Sequence, residues 1–322
     1  MTNALNRRQL LALGTAALAS PLLTACDGNS DNGPGNLIDV ARSQAQFSTL
    51  VAAVEAAGLT STLQGAGPFT LFAPTNDAFA ALLTELGTTQ EALLADTALL
   101  TAVLQYHVLG AKVPSSDVTP GAPVSPLAGG YFKIDDMDGG LVITDGRNRT
   151  ALITQANVAA SNGVIHVIDH VLLPADLTVV GTAQAANSGT PPEFTVLVQA
   201  IQAAGLVEAL SAAGPFTVFA PTDAAFGSLL TELGVTADEL LANTSLLTTV
   251  LTYHVVPALV LKAQVPVGQA IATLQGASFT VDDTLTITDG AGRTAAIVQT
   301  DVLASNGVIH VIDHVLLPTA LT

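Results

Sequence analysis

The sequence predicts an α+β protein built as two tandem domains of similar fold. Three observations point there. All six histidines fall at matched positions in two copies of one unit. Gly67-Pro-Phe-Thr-Leu-Phe-Ala-Pro-Thr-Asn-Asp-Ala-Phe79 recurs as Gly214-Pro-Phe-Thr-Val-Phe-Ala-Pro-Thr-Asp-Ala-Ala-Phe226, and Ala160 to Pro174 recurs without a change as Ala304 to Pro318. Within each copy the apolar pattern starts at helical spacing and turns β-branched towards the end, so helices come mostly first and strands mostly last. A repeat of this length means two similar domains, not a solenoid of short units. At 49% hydrophobic and 11% charged residues, the chain has ample material for two cores and too little charge for disorder.

Residues 1–25 read as a signal peptide. A polar start ends in Arg7-Arg8, Leu10 to Leu23 are mostly apolar, and small residues precede Cys26. The apolar stretch, interrupted by Pro21, is short for a bilayer-spanning helix, which needs about 20 residues. Leu23-Thr-Ala-Cys26 resembles a bacterial lipobox, in which the Cys becomes the lipidated first residue; Asn6 to Leu11 resembles, less strictly, a twin-arginine export signal. Asp27 resembles an inner-membrane retention signal. The expectation is an exported lipoprotein facing the periplasm or the cell exterior. Residues 26–36 form a spacer, 37–177 the first domain and 178–322 the second.

Taken in order, Leu37 to Ala41 begin a helix, and Phe47, Leu50, Val51 and Val54 place an amphipathic helix before Gly58. Phe69 to Phe72 alternate as a strand, and Thr75-Asn-Asp77 cap the next helix. Thr88-Thr-Gln-Glu91 and Thr236-Ala-Asp-Glu239 match the capping box ahead of Leu-rich helices. These helices run to Tyr106-His107 and Tyr253-His254. Leu141 to Thr144 and Leu285 to Thr288 read as strands entering Asp-Gly turns, and Val164 to Val171 as a buried strand. The second copy starts at Thr178, carries an extra loop at Asn187 to Pro192, and is joined by only Ala175-Asp-Leu177. So short a joint restricts the pair.

The candidate chemistry is sparse. The formal net charge is −17, and losing Arg7 and Arg8 with the signal leaves −19. Such a surface excludes nucleic acid and repels anionic bilayers, so membrane attachment needs the lipid on Cys26. One Cys excludes an intrachain disulfide. On a helix, His166 and His170 could share a zinc ion, but the Val/Ile context makes a strand, where four residues span about 13 Å. His166 is expected in the core and His170 near the strand's end, partly exposed. Tyr106, His107, Tyr253 and His254 are expected to be mainly structural, with imidazoles bonded to backbone and phenol hydroxyls at the rim. Asp135-Asp-Met-Asp138-Gly139 hints at calcium, yet the twelfth position from Asp136 is Arg147, so the segment reads as a turn. No nucleophile elbow, phosphate loop or dinucleotide fingerprint is present. No cofactor or metal is expected.

These boxes, with Tyr106-His107 and its copy between them, resemble the fasciclin domain family, and the likeness covers nearly all of the chain after the spacer. The resemblance implies a twisted β-wedge with a helical layer in each domain. It implies adhesion, or binding of protein or polysaccharide partners outside the cell, without catalysis. It also marks Tyr106, His107, Asp169 and His170, with Tyr253, His254, Asp313 and His314, as candidates for partner contact. Some relatives carry lipophilic pigments, so an apolar-ligand carrier is the first alternative, although few aromatics are available to line a large pocket. A hydrolase using His170 and a carboxylate is the second, and it lacks a nucleophile motif.

Overall fold

The structure is a computed structural model that describes residues 33–137, 139–189 and 192–319. Cys26 and the segment before it lie outside the described residues. Asn36 caps α1 (Leu37–Arg42), accepting from the N–H of Ile38 and Asp39 while Asp39 reaches back. Then come α2 (Ser48–Ala56), α3 (Thr60–Leu63), β1 (Phe69–Pro74), α4 (Asn76–Leu86), α5 (Gln90–Ala95) and α6 (Thr97–Tyr106). The sheet is completed by β2 (Val108–Leu109), β3 (Pro123–Val124), β4 (Phe132–Met137), β5 (Gly140–Thr144), β6 (Thr150–Ala160) and β7 (Gly163–Ile168). The seven strands lie in the order β2-β1-β7-β6-β5-β4-β3.

The second domain repeats the plan with α7 (Val179–Asn187), α8 (Thr195–Ala203), α9 (Val207–Ser211), β8 (Phe216–Pro221), α10 (Asp223–Leu233), α11 (Ala237–Ala242) and α12 (Thr244–Tyr253). Its strands are β9 (Val255–Val256), β10 (Ala270–Ala272), β11 (Ser278–Val281), β12 (Thr286–Thr288), β13 (Thr294–Ala304) and β14 (Gly307–Ile312). They lie in the matching order, β10-β11-β12-β13-β14-β8-β9.

The two boxes of each repeat meet at the centre of the sheet. β1 and β7 run parallel, in register from Phe69–Gly163 to Pro74–Ile168, and β8 pairs β14 likewise. Both faces of this pair are covered. Leu71, Ala73, Ile165 and Val167 join the core beneath the helices. Phe72 and Ile168 join a second core with Tyr106, Phe132, Ile134, Ile143 and Leu172 inside the curled sheet. Gly163 allows the close approach, because a Cβ there would sit 2.2 Å from the Phe69 carbonyl oxygen.

The strand read from Phe69 to Phe72 is present, and its polar residue Thr70 is fully buried; its hydroxyl donates to Ala111 O (2.7 Å) and accepts from Val113 N (2.8 Å). Several local expectations are corrected. The cap of α5 is Thr89, not Thr88, which puts Ala92 at the third helical position, so the expected first capping box does not form, whereas Thr236 and Glu239 form the second in full. The strand expected over Val164 to Val171 stops at Ile168, and Asp169-His170 form a bend. Leu285 precedes β12 with a left-handed φ of 62°.

Candidate functional site

The sequence-predicted site residues separate into a buried doublet and an exposed doublet in each domain. His107 caps α6 with no exposed surface. Its Nδ1–H donates to Val103 O (2.7 Å), and Nε2 accepts from Leu172 N (2.9 Å). This arrangement needs a neutral ring, and burial pulls the His107 pKa down from 6.5 to about 4. His254 repeats the bonds to Val250 O (2.7 Å) and Leu316 N (2.9 Å), with its pKa likewise pulled down by burial to about 4.

Tyr106 is also fully buried, packed edge-on to Phe132, with its hydroxyl donating to Tyr131 O (2.6 Å). Tyr253 donates to Ser278 O and accepts from Gly290 N, both at 2.9 Å. The hydroxyls are therefore inside, not at the rim as the sequence reading placed them. The sheet curls far enough to bring a backbone carbonyl over each ring.

Asp169 and His170 lie on the surface just after β7. Asp169 Oδ1 accepts from Leu152 N (2.7 Å) and from His170 Nδ1 (2.8 Å), and the His170 ring is about half exposed. Asp313 and His314 repeat this, with Ala296 N at 2.7 Å and His314 Nδ1 at 2.9 Å. His166, by contrast, points inward, bonds Val113 O (2.9 Å) and stacks on Phe72. It cannot share a ligand with His170. Asp135 and Asp136 sit at the end of β4, and Lys133 pairs with Asp135 at 3.1 Å.

The buried and exposed doublets are linked through the backbone. The segment carrying Asp169-His170 continues into Val171 to Leu173, which three interior groups hold. Arg149 donates to Val171 O, His107 accepts from Leu172 N, and Asp145 accepts from Leu173 N. Asp145 is 2% exposed and also accepts from Arg147 N, Arg149 N and the Arg149 guanidinium. In the second domain His254 and Asp289 hold Leu316 and Leu317 in the same way, while the Arg293 guanidinium pairs with Glu232.

Two sets of residues escaped the sequence reading. In sequence Asp145 and Asp289 read only as turn formers, although both copies keep Asp-Gly with Arg-Thr two residues further on, a signal that more than the turn is needed. Asn162 and Asn306 are interior staples. Asn162 Nδ2 donates to Leu63 O and Gly65 O while Oδ1 accepts from Leu37 N, and Asn306 does the same with Leu210 O, Ala212 O and Val179 N. Among the described residues no cluster of three or more His, Cys, Asp or Glu could hold a metal ion. No helix among them is long and apolar enough to cross a membrane.

The sequence profile of the fasciclin domain matches residues 45–174 and 192–318. Protein sll1483 of Synechocystis is 45% identical over 139 residues, which cover 43% of this chain and 73% of that protein. The rabbit transforming growth factor-beta-induced protein ig-h3 is 31% identical over 261 residues, covering 80% of this chain but only 35% of the animal protein. A solved FAS1 domain pair from the insect cell adhesion molecule fasciclin I aligns over 86% of this chain and 98% of that one, at 20% identity and a TM-score of 0.40.

Proposed function

This chain belongs to the fasciclin family, and from that premise we propose that it is a non-enzymatic binding protein of the cell envelope, holding protein or polysaccharide partners through its two domains. The observation that carries this reading is the duplicated Asp-His corner, exposed at Asp169-His170 and again at Asp313-His314, each followed by a segment held by the equivalent His and Asp. A pinned, exposed polar corner recognises a partner with little ordering cost. Two of them on one chain favour a repetitive partner, because the second contact forms at high effective concentration. Export and lipidation at Cys26 would place the protein at the envelope surface, facing the periplasm or the exterior.

The test is capture of partners from native envelope by the mature protein, repeated with a His170→Ala/His314→Ala variant. Capture should fall at least tenfold in the variant. Undiminished capture would remove the corners from the reading, and substrate turnover abolished by His170→Ala would overturn the non-enzymatic claim.

One observation bears on the carrier alternative. The first domain has a cavity of about 240 Å³ walled by Phe72, Leu109, Val113, Val118, Ile134 and Ile153. Ordinary ligand pockets run from about 300 to 1,000 Å³. This space suits a short aliphatic group better than a long pigment, whereas a more open hollow of about 560 Å³ in the second domain, lined by Leu233, Val235, Leu240 and Leu246 with Glu232, Glu239 and Asn243, falls within that range. Visible absorbance in protein purified from its native host would revive the pigment reading.

A further inference from the structure

The two domains touch largely through residues that differ from their repeat counterparts. From the first domain, the Tyr131 hydroxyl donates to the carbonyls of Ala304 and Gly307. Lys133 Nζ reaches Asp301 Oδ2 at 2.9 Å. Asn148 makes a two-way amide bridge, Nδ2 to Leu303 O at 3.0 Å and Leu303 N to Oδ1 at 2.6 Å. Leu261, Leu303 and Val308 are buried beneath Tyr131 and Leu259. Gly121 completes the fit, since a Cβ there would lie 2.9 Å from that of Ala263.

The internal repeat shows what stands at the same places on the unused faces. Tyr106 bonds Tyr131 O where Tyr253 bonds Ser278 O, so Tyr131 corresponds to Ser278 and Lys133 to Thr280. Asn148 and Gly292 close equivalent turns with left-handed φ angles of 62° and 78°. On the receiving side, Asp301 corresponds to Asn157, both donating backbone N–H to the Nδ1 of a buried His. Leu303 corresponds to Ala159, from their pairing with Val308 and Val164. Leu259 and Leu261 correspond to Lys112 and Pro114. Tyr131, Lys133, Asn148, Asp301, Leu303, Leu259 and Leu261 are thus each replaced at the counterpart place, whereas Ala304, Gly307 and Val308 recur as Ala160, Gly163 and Val164.

We propose that Tyr131, Lys133 and Asn148 form a one-way clasp on Asp301, Leu303 and Gly307, which locks the pair into one orientation so that it tumbles and unfolds as a single body. A contact between unlike faces could in principle add further copies in a row. Here the free faces carry Ser278, Thr280 and Gly292 at one end and Lys112, Asn157 and Ala159 at the other, so the series closes at two.

The experiment swaps in the counterpart residues in the full mature chain. A donor-side variant carries Tyr131→Ser, Lys133→Thr and Asn148→Gly. A separate receiving-side variant carries Asp301→Asn and Leu303→Ala. Each new residue is one the same fold already accommodates at the matching place in the other domain, which guards against misfolding. Backbone ¹⁵N relaxation should give one tumbling time for both native domains, and calorimetry one transition. Either variant should show two shorter tumbling times, each near that of a lone domain, and a split transition. A native protein whose domains tumble independently, or folded variants that both keep the single tumbling time, would overturn the clasp.

Discussion

His107 and His254 act on stability through their charge state. Each ring donates from Nδ1 and accepts at Nε2, so a proton on Nε2 would expel the Leu172 or Leu316 amide from its only acceptor in the interior. With folded pKa values held near 4 against 6.5, the neutral rings contribute fully above about pH 6.5. As pH falls below that, the unfolded chain takes up protons that the folded chain refuses, and the contribution disappears by about pH 4. Native stability should therefore decline across this window, and a His107→Ala variant should show a shallower decline in urea midpoint. Above pH 7, His107→Ala should cost about 1–3 kcal/mol by leaving Val103 O and Leu172 N without a partner. Unchanged melting together with lost partner capture would give His107 a binding role instead.

Among the elements, the capping residues separate what can be read locally from what cannot. Thr236 with Glu239 was legible because only one Thr precedes that helix at the right spacing. Thr88-Thr89 offered two frames, and the fold chose Thr89, which accepts from Ala92 N at 3.3 Å. Thr89→Ala should lower stability by about 1 kcal/mol and Thr88→Ala by far less, as read from paired chemical denaturation curves. Asn162→Ala should cost more, about 1–3 kcal/mol, because three buried backbone groups on α1 and the α3 exit lose their partner. Helix order and the two box strands followed from periodicity and from identity between copies, but their parallel pairing did not, because it joins segments about ninety residues apart. The clasp did not, because Tyr131, Lys133 and Asn148 differ from their counterparts, and repetition was the only comparison a single sequence allowed. The buried tyrosine hydroxyls were equally out of reach, since the carbonyls they meet lie 25 residues onward.

At the scale of the whole molecule, acidity limits how the chain can attach to a membrane. A net charge of −17 over 322 residues opposes adsorption to anionic lipid. Attachment would thus rest on acyl chains at Cys26. Mass spectrometry of the native protein should find an acylated N-terminal Cys26, and Cys26→Ala should release the protein to the soluble fraction. A mature form that begins elsewhere and remains membrane-bound would contradict this.

The parallel pairing at the centre of each sheet also governs when a domain can form during synthesis. β1 is made early, but its neighbour β7 arrives about ninety residues later, as the register Phe69–Gly163 shows. Contacts this remote in sequence close slowly. A growing chain that stops short of Gly163 holds its helices but leaves β1 with an open edge, the state most prone to aggregate. The second domain repeats the delay, with β14 lying near the end of the sequence at Gly307–Ile312. Truncating the last sixteen residues would therefore remove a central strand and strand the whole domain before closure, an outcome closer to failed maturation than to trimming.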